Sequence, residues 1–183
     1  PATVQLVGEL IEQGGGAQIV YLVAGGLGDG ADSEGWGVKL KAMLAEARDA
    51  KRWTPQLIGP NGLGLLNANI GLNTLFIPED KLRVRLERLG PFGFISQSGA
   101  FLITRLSNDP QLPMRYGFCI GNQIDVRFSA LLAALRGDPG IRVGALYAEG
   151  FAVGDTLACA QEIQRWRADG RRVLVYKGGR TQE

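Results

Sequence analysis

Five consecutive small and polar residues could bind an anion: Ser96, Gln97, Ser98, Gly99 and Ala100. They follow an apolar run that ends at Ile95, and the next residues continue as a helix with an apolar face. A strand that ends in small residues at a helix N-terminus directs free backbone N–H groups at one point, which is a geometry that binds phosphate. The alternative is a tight strand-to-helix turn in which Ser98 only caps the helix.

A second candidate is Glu149, an acid at the end of the apolar run "VGALYA". A carboxylate at such a position can face a ligand cleft, because the carboxyl ends of parallel strands form the edge at which ligands bind. The alternative is a local role. Glu149 would then cap the turn near Gly150, or pair with Lys177 or Arg180.

Three other strand ends carry turn residues. "VAGGLGDG" at 23–30 permits a close approach of backbone to a ligand, and a flexible loop explains it equally well. "GPNGLG" at 59–64 is typical of a structural turn in which Asn61 bonds to the local backbone. In "CIGNQIDV" at 119–126, Asp125 is predicted to cap the next helix.

The chain contains no histidine. This excludes a Ser–His or Cys–His nucleophile pair, imidazole metal ligands and a histidine general base from within the chain itself. Its own chemistry must use carboxylates, hydroxyls, lysine or backbone dipoles, or a group supplied from elsewhere.

The elements that position these residues alternate between short apolar runs and amphipathic helices. This alternation predicts an α/β fold with parallel sheets covered on both faces. The predicted helices are 3–13, 33–52, 99–107, 126–136 and 156–168, the last capped by Asp155, and the predicted strands are 17–26, 55–58, 91–95, 115–120, 141–148 and 171–176.

An irregular region interrupts this alternation, and it predicts two units. Residues 1–64 hold two predicted strands and two helices, which is too little for a core of their own. Residues 65–90 read as a connecting arm, in which "GLNTLFI" forms an extended arm or a hairpin strand, and residues 91–183 form the second domain. The sequence starts at Pro1 in what reads as the middle of a domain, so we expect a piece of a longer polypeptide.

Composition excludes several classes of protein. The 183 residues are 45% hydrophobic and 21% charged, with a net charge of +2, as in an ordinary globular protein. Basic clusters at 81–88 and 165–172 each contain an acid and read as solvated faces rather than nucleic-acid sites. No apolar run approaches a membrane span. With two cysteines, Cys119 and Cys159, we expect a reduced, cytoplasmic protein.

The order of the motifs resembles that of the NDP-forming acyl-CoA synthetases, the family of succinyl-CoA synthetase α subunits and ADP-forming acetate–CoA ligases. The motifs are GPNxLG, "LNTLFIP", FISQSGA, GNxxDV, a Y-x-EG strand end and K-x-GRT. The resemblance covers nearly the whole chain. It implies the end of a Rossmann-like CoA-binding domain followed by a flavodoxin-like parallel-sheet ligase domain.

The resemblance also implies roles for particular residues. In that family the serine-glycine turn binds the phosphate of a phosphohistidine, which here corresponds to Ser96, Gln97, Ser98, Gly99 and Ala100. Glu149 matches the glutamate that orients the histidine. Two loops would lie near coenzyme A, and their residues are Val23, Ala24, Gly25, Asn61 and Gly62.

The implied ligands are coenzyme A and a carboxylic acid or acyl phosphate, with no nucleic acid or membrane. Nucleotide and Mg²⁺ are expected only on another domain, or on a β-type nucleotide-binding subunit. Three departures stand out: the family's histidine lies beyond the K-x-GRT strand, the usual cysteine of GPNCxG is Gly62, and the glycine-rich loop that opens the CoA domain is absent.

Two hypotheses of function remain open at this stage. In the first, the parent protein makes acyl-CoA through an acyl phosphate and a phosphohistidine that lies outside this chain. In the second, it is a non-catalytic, CoA-responsive regulatory domain, as in FdrA-like proteins or protein acetyltransferases. Gly62 favours the second hypothesis, whereas Glu149 together with the serine-glycine turn favours the first.

Overall fold

The computed structural model describes residues 2–27 and 34–179. These residues fall into two compact units, and each unit is built from two separate segments of the chain. Unit 1 consists of residues 1–62 and 121–126, and unit 2 consists of residues 63–120 and 127–183. The end of the motif "CIGNQIDV" therefore belongs to unit 1, although it lies in the middle of the chain segment that forms unit 2.

Unit 1 contains two helices and two short parallel strands. The helices are α1 (Ala2–Gln13) and α2 (Glu34–Asp49), and the strands are β1 (Ile19–Tyr21) and β2 (Gln56–Ile58). Apolar residues at helical spacing give each helix one buried face. The core residues are Val4, Val7, Ile11, Leu22, Leu27, Leu40, Leu44, Ala47, Leu57 and Ile124.

The apolar run at 17–26 predicts a buried first strand, and this prediction is wrong. In the described part of unit 1, β1 pairs only with β2, so it lies at the edge of a two-stranded sheet. Ile19 is accordingly 56% exposed. An apolar run in the sequence cannot distinguish a central strand from such an edge strand.

The predicted capping role of Asp125 is also wrong. Helix α4 (Phe128–Gly137) begins after Arg127, and Asp125 lies before its cap. The carboxylate of Asp125 instead forms a bidentate pair with Arg48, at 2.7 and 2.8 Å, and accepts the backbone N–H of Leu57. The hydrogen bonding between Arg48 and Asp125 raises the pKa of the Arg48 guanidinium. Asp125 thus fastens the returning segment 121–126 to α2 and β2 within unit 1.

Unit 2 is built on a six-stranded sheet in the order β4-β3-β6-β5-β7-β8. Strands β5 to β8 are parallel, and the hairpin of β3 and β4 adds antiparallel pairs beside β6. The strand bounds are β3 Leu65–Asn67, β4 Leu72–Asn73, β5 Phe92–Ser96, β6 Met114–Cys119, β7 Val143–Ala148 and β8 Arg172–Lys177. The segment 65–73 therefore contributes a hairpin to this sheet.

Three helices connect the parallel strands: α3 (Gly99–Asn108), α4 and α5 (Asp155–Ala168). Helices α4 and α5 pack against each other. Trp166 of α5 is fully buried, stands over Gly144 of β7, and donates its indole N–H to the carbonyl of Leu132. Within residues 2–27 and 34–179, no helix has the length and apolar character that crossing a membrane requires.

Asp155 is the first residue of α5 rather than its cap, since Gly154 occupies the cap position. Asp155 is 1% exposed, and its carboxylate is therefore enclosed within the unit. It accepts a short hydrogen bond from the hydroxyl of Ser129 and a contact of 3.6 Å from the thiol of Cys159. Both Cys159 and Cys119 are buried, and neither forms a disulfide. Asp155 therefore joins α4 to α5 through side chains inside the unit.

We expect Cys159 to make the stability of the protein sensitive to alkaline pH. Burial, and then the charge of Asp155, raise the pKa of this thiol from 9.0 to about 12. The protonated thiol is favoured in the fold, so its contribution is complete below pH 9 and is lost as the pH rises from about 9 towards 12. Between pH 9 and pH 10, the free energy of unfolding measured with urea should fall by about 1 kcal/mol more in the wild type than in Cys159→Ser. Equal losses in the two proteins would contradict this assignment.

Candidate functional site

The turn from β5 to α3 has the predicted form of a strand that runs directly into a helix N-terminus. Ser98 is the N-cap, with extended backbone angles (φ −90°, ψ 126°), and its hydroxyl oxygen accepts the backbone N–H of Phe101 at 3.3 Å. Gly99 and Ala100 are then the first two residues of the helix. A serine cap thus satisfies one of the N–H groups that the first turn of a helix leaves free.

The backbone N–H groups of Gly99 and Ala100 have no acceptor within the helix, because they belong to its first turn. Within the described residues no other group accepts them. Position 99 also requires glycine, since an added Cβ would lie 2.8 Å from the Cβ of Leu63. The Leu63 side chain therefore packs closely against the turn at Gly99 and leaves no room for a side chain there.

Ser96 is fully buried, and its hydroxyl donates to the carbonyl of Ser98 at 2.6 Å. This internal bond fixes the turn between the end of β5 and the start of α3. The hydroxyl of Ser96 therefore lies inside the turn, whereas Ala100 is exposed.

Glu149 directly follows β7, which is the neighbour of β5 in the sheet. Ser96 pairs with Tyr147 in the register of these strands, and the N–H of Gln97 donates to the carbonyl of Tyr147 at 2.9 Å. The two predicted site elements therefore meet at the carboxyl edge of one sheet. The Glu149 side chain is exposed at this edge.

One alternative role of Glu149 was to pair with Lys177, and in the structure Lys177 bonds to the backbone of Glu149 instead. Lys177 donates to the main-chain carbonyl of Glu149, at 2.6 Å, and also to the carbonyls of Gly178 and Gly179. The ammonium of Lys177 therefore supports the backbone at this position. Arg180, the other predicted partner, lies outside the described residues.

Tyr147 shapes the surroundings of the Glu149 carboxylate. Burial raises the pKa of the Tyr147 phenol, and the charge of Glu149 and a side-chain hydrogen bond with it raise that pKa further. The Tyr147 ring stacks on Phe101 of α3, with 3.9 Å between ring centroids. Helix α3, which carries the turn, and β7, which precedes Glu149, are thus in direct contact through these rings.

The two loops predicted to lie near coenzyme A are adjacent in unit 1. The N–H of Asn61 donates to the carbonyl of Ala24 at 3.0 Å, and the N–H of Gly62 donates to the carbonyl of Leu22 at 3.2 Å. Val23, Ala24, Gly25 and Asn61 are exposed, whereas Gly62 is buried. These two hydrogen bonds join the loops, so the five residues lie on two adjacent stretches of backbone.

Sequence reasoning did not predict the contacts of Tyr147 and Lys177 with Glu149. A usable signal existed for Tyr147, since residues two apart on a strand project from the same face. The role of Lys177 has no such local signal, because β8 and β7 are far apart in the sequence and adjacent only in the sheet.

Residues 89–183 match the family described as the succinyl-CoA ligase-like flavodoxin domain. The chain belongs to this family. The match covers the whole of the parallel sheet, from β5 to β8, and therefore includes the turn at Ser96–Ala100 and Glu149. The family resemblance and the flavodoxin-like fold predicted from the motifs are both confirmed.

Curated relatives of this flavodoxin-like ligase domain include two archaeal enzymes. The chain is 32% identical over 135 residues to an ADP-forming acetate–CoA ligase of Methanocaldococcus jannaschii, covering 73% of this chain and 18% of the relative. It is 26% identical over 183 residues to subunit alpha of ADP-forming acetate–CoA ligase I of Pyrococcus furiosus, covering 97% of this chain and 36% of that subunit.

A solved structure extends the likeness beyond the flavodoxin-like ligase domain. This solved structure is that of the dinucleotide-forming acetyl-coenzyme A synthetase 1 of Ca. Korarchaeum cryptofilum, in complex with phosphate and ADP. It matches with a TM-score of 0.76 at 25% identity, over 98% of this chain and 36% of that one. The chain thus spans about a third of the length of this synthetase.

Proposed function

We propose that this chain is part of an NDP-forming acyl-CoA synthetase, an acid–thiol ligase that makes acyl-CoA through an acyl phosphate and a phosphohistidine. Membership of the ligase-domain family and the names of the relatives support this proposal. The same names lend no support to the alternative of a regulatory domain. In the proposed reaction the histidine lies outside this chain, which contains none.

The observation that carries the proposal is that the first backbone N–H groups of α3 lie at the same sheet edge as an acid that directly follows the neighbouring strand β7. The N–H groups of Gly99 and Ala100 would donate to phosphoryl oxygens, and the helix dipole would favour their negative charge. Backbone donors in a turn fixed by Ser96 and Ser98 need little rearrangement when the phosphoryl group arrives. A solved relative contains phosphate together with ADP.

Glu149 would act on the incoming histidine. Its exposed carboxylate would accept the N–H of one imidazole nitrogen, which leaves the other nitrogen directed at the phosphorus. The negative charge would also stabilise the imidazole while it carries the phosphoryl group. Glu149 would thus be a catalytic residue of the proposed reaction.

Coenzyme A would bind at the backbone of the paired loops in unit 1, which contain Val23–Gly25 and Asn61–Gly62. This part of the proposal rests on the motif resemblance and on the hydrogen bonds that join the two loops. In the proposal, the nucleotide and Mg²⁺ bind to another domain or to a β-type subunit. Among the described residues, no cluster of three acidic, histidine or cysteine side chains is placed to hold a metal. The two buried cysteines, which form no disulfide, suit the cytoplasmic setting that we propose.

The test is an assay of the complete synthetase that contains this chain, run towards nucleoside triphosphate. Acetyl-CoA and longer acyl-CoA substrates are supplied with ADP or GDP, with and without inorganic phosphate and Mg²⁺. We expect release of coenzyme A that requires phosphate and yields a stoichiometric amount of ATP or GTP. Coenzyme A release that is independent of phosphate, or no turnover with any acyl-CoA in the series, would contradict the proposal.

A further inference from the structure

The side chain of Gln97 points into the loop after β7. Its amide oxygen accepts two backbone N–H groups, that of Glu149 at 2.8 Å and that of Gly150 at 3.0 Å. An amide oxygen has two acceptor sites, so both are occupied by these donors. Gln97 therefore uses its acceptor capacity on the loop that carries Glu149.

Gln97 consequently holds the peptide groups on both sides of Glu149, and Lys177 also holds the second of them. Gln97 accepts the N–H of Glu149, and the ammonium of Lys177 donates to its carbonyl. The main chain of Gln97 adds a third link, because its N–H donates to the carbonyl of Tyr147. These bonds fix the backbone of Glu149 while its side chain remains exposed.

We propose that Gln97 is a positioning residue for Glu149. This inference rests on the proposed function, because it concerns the glutamate that would orient the histidine. Catalytic groups must be held close to their productive geometry, and a displacement of about 1 Å can lower a rate by about 100-fold. Gln97 couples the two halves of the site, since it belongs to the phosphate turn and holds the neighbouring loop.

A role as an anion ligand and a positioning role give different kinetics. Gln97→Met keeps the length of the side chain and removes the strong acceptor. In the complete synthetase we expect the phosphoenzyme to form about tenfold more slowly or slower still, with an unchanged KM for phosphate, because the bonds lost are those to the loop. A raised KM for phosphate with an unchanged rate would show that Gln97 binds the anion, and would overturn the inference.

A double-mutant cycle tests whether Gln97 acts through Glu149. If it does, Gln97→Met should cause little further loss when Glu149 is already glutamine, because no carboxylate remains to be positioned. Fully additive losses in the two variants would overturn the inference. Gln161→Met, the same replacement on an exposed position of α5, is the control and should leave the rate unchanged.

Amide hydrogen exchange of the 149–150 segment decides the matter without any assay of activity. In Gln97→Met these two amides should exchange about tenfold faster, whereas Gln97→Glu, which keeps an acceptor at the same reach, should retain slow exchange. If Gln97→Met folds poorly, Gln97→Asn can replace it. Asparagine is too short to reach the loop, so the same faster exchange is expected. If the exchange rates of these two amides are unchanged in both Gln97→Met and Gln97→Asn, the inference is overturned, whatever the activity of the enzyme. Failure of the proposed function would instead appear as absent phosphorylation of the wild type with the exchange pattern intact.

Discussion

Glu149→Gln should slow phosphoenzyme formation in the complete synthetase by about 100-fold or more, with little change in thermal stability. Glutamine has the same length and the position is exposed, so the fold should tolerate it. It lacks the negative charge that would orient and stabilise the imidazole during phosphoryl transfer. The measurement is the rate at which label from acyl phosphate or nucleoside triphosphate enters the protein.

The control for this variant is Glu87→Gln, the same chemical change at an exposed residue of unit 2. It should phosphorylate at the wild-type rate. If Glu149→Gln phosphorylates normally and melts several degrees lower, Glu149 stabilises the loop and has no catalytic role. The proposed mechanism would then lose its orienting acid.

Gly62→Cys should destabilise the protein by about 2 kcal/mol, although cysteine is the usual residue at this position of the GPNCxG motif. A Cβ at position 62 would lie 2.7 Å from Cζ of Tyr21 and would also collide with its hydroxyl oxygen. Gly62 is buried and donates its N–H to Leu22, so the turn cannot easily move away. The ring of Tyr21 occupies the space that a cysteine side chain needs.

The rescue variant for this prediction combines Gly62→Cys with Tyr21→Ala. We expect Gly62→Cys to lower the free energy of unfolding much less in the Tyr21→Ala background than in the wild type, as measured by urea unfolding. Gly15→Cys is the matched control, because no atom lies within 4 Å of an added Cβ there. A Gly62→Cys protein as stable as the wild type would show that Tyr21 can leave this space without cost.

Local patterns predicted the elements of unit 2 well. The apolar run before Ser96, the capping serine and the helical spacing that follows placed β5, the turn and α3 within a residue of their observed bounds. The same holds for α5, where apolar residues recur on one face and Trp166 is buried. These features depend on residues that are close together in the sequence, which is where propensity and periodicity carry information.

Contacts between distant segments could not be predicted in this way. Gln97 lies 52 residues from Glu149, and a glutamine in a turn gives no sign of the loop it will bond. Asp125 precedes a helix and looked like its cap, yet its partner is Arg48, 77 residues away. The exposure of β1 likewise depends on which strands lie beside it in the sheet rather than on its own apolar residues.

The most direct test of the central claim is a crystal structure of the complete synthetase with bound phosphate. We expect phosphate oxygens within about 3 Å of the backbone nitrogens of Gly99 and Ala100, and an imidazole between the phosphate and the carboxylate of Glu149. Phosphate bound at another site while this turn remains empty, in an enzyme that is active in the crystal, would contradict the claim.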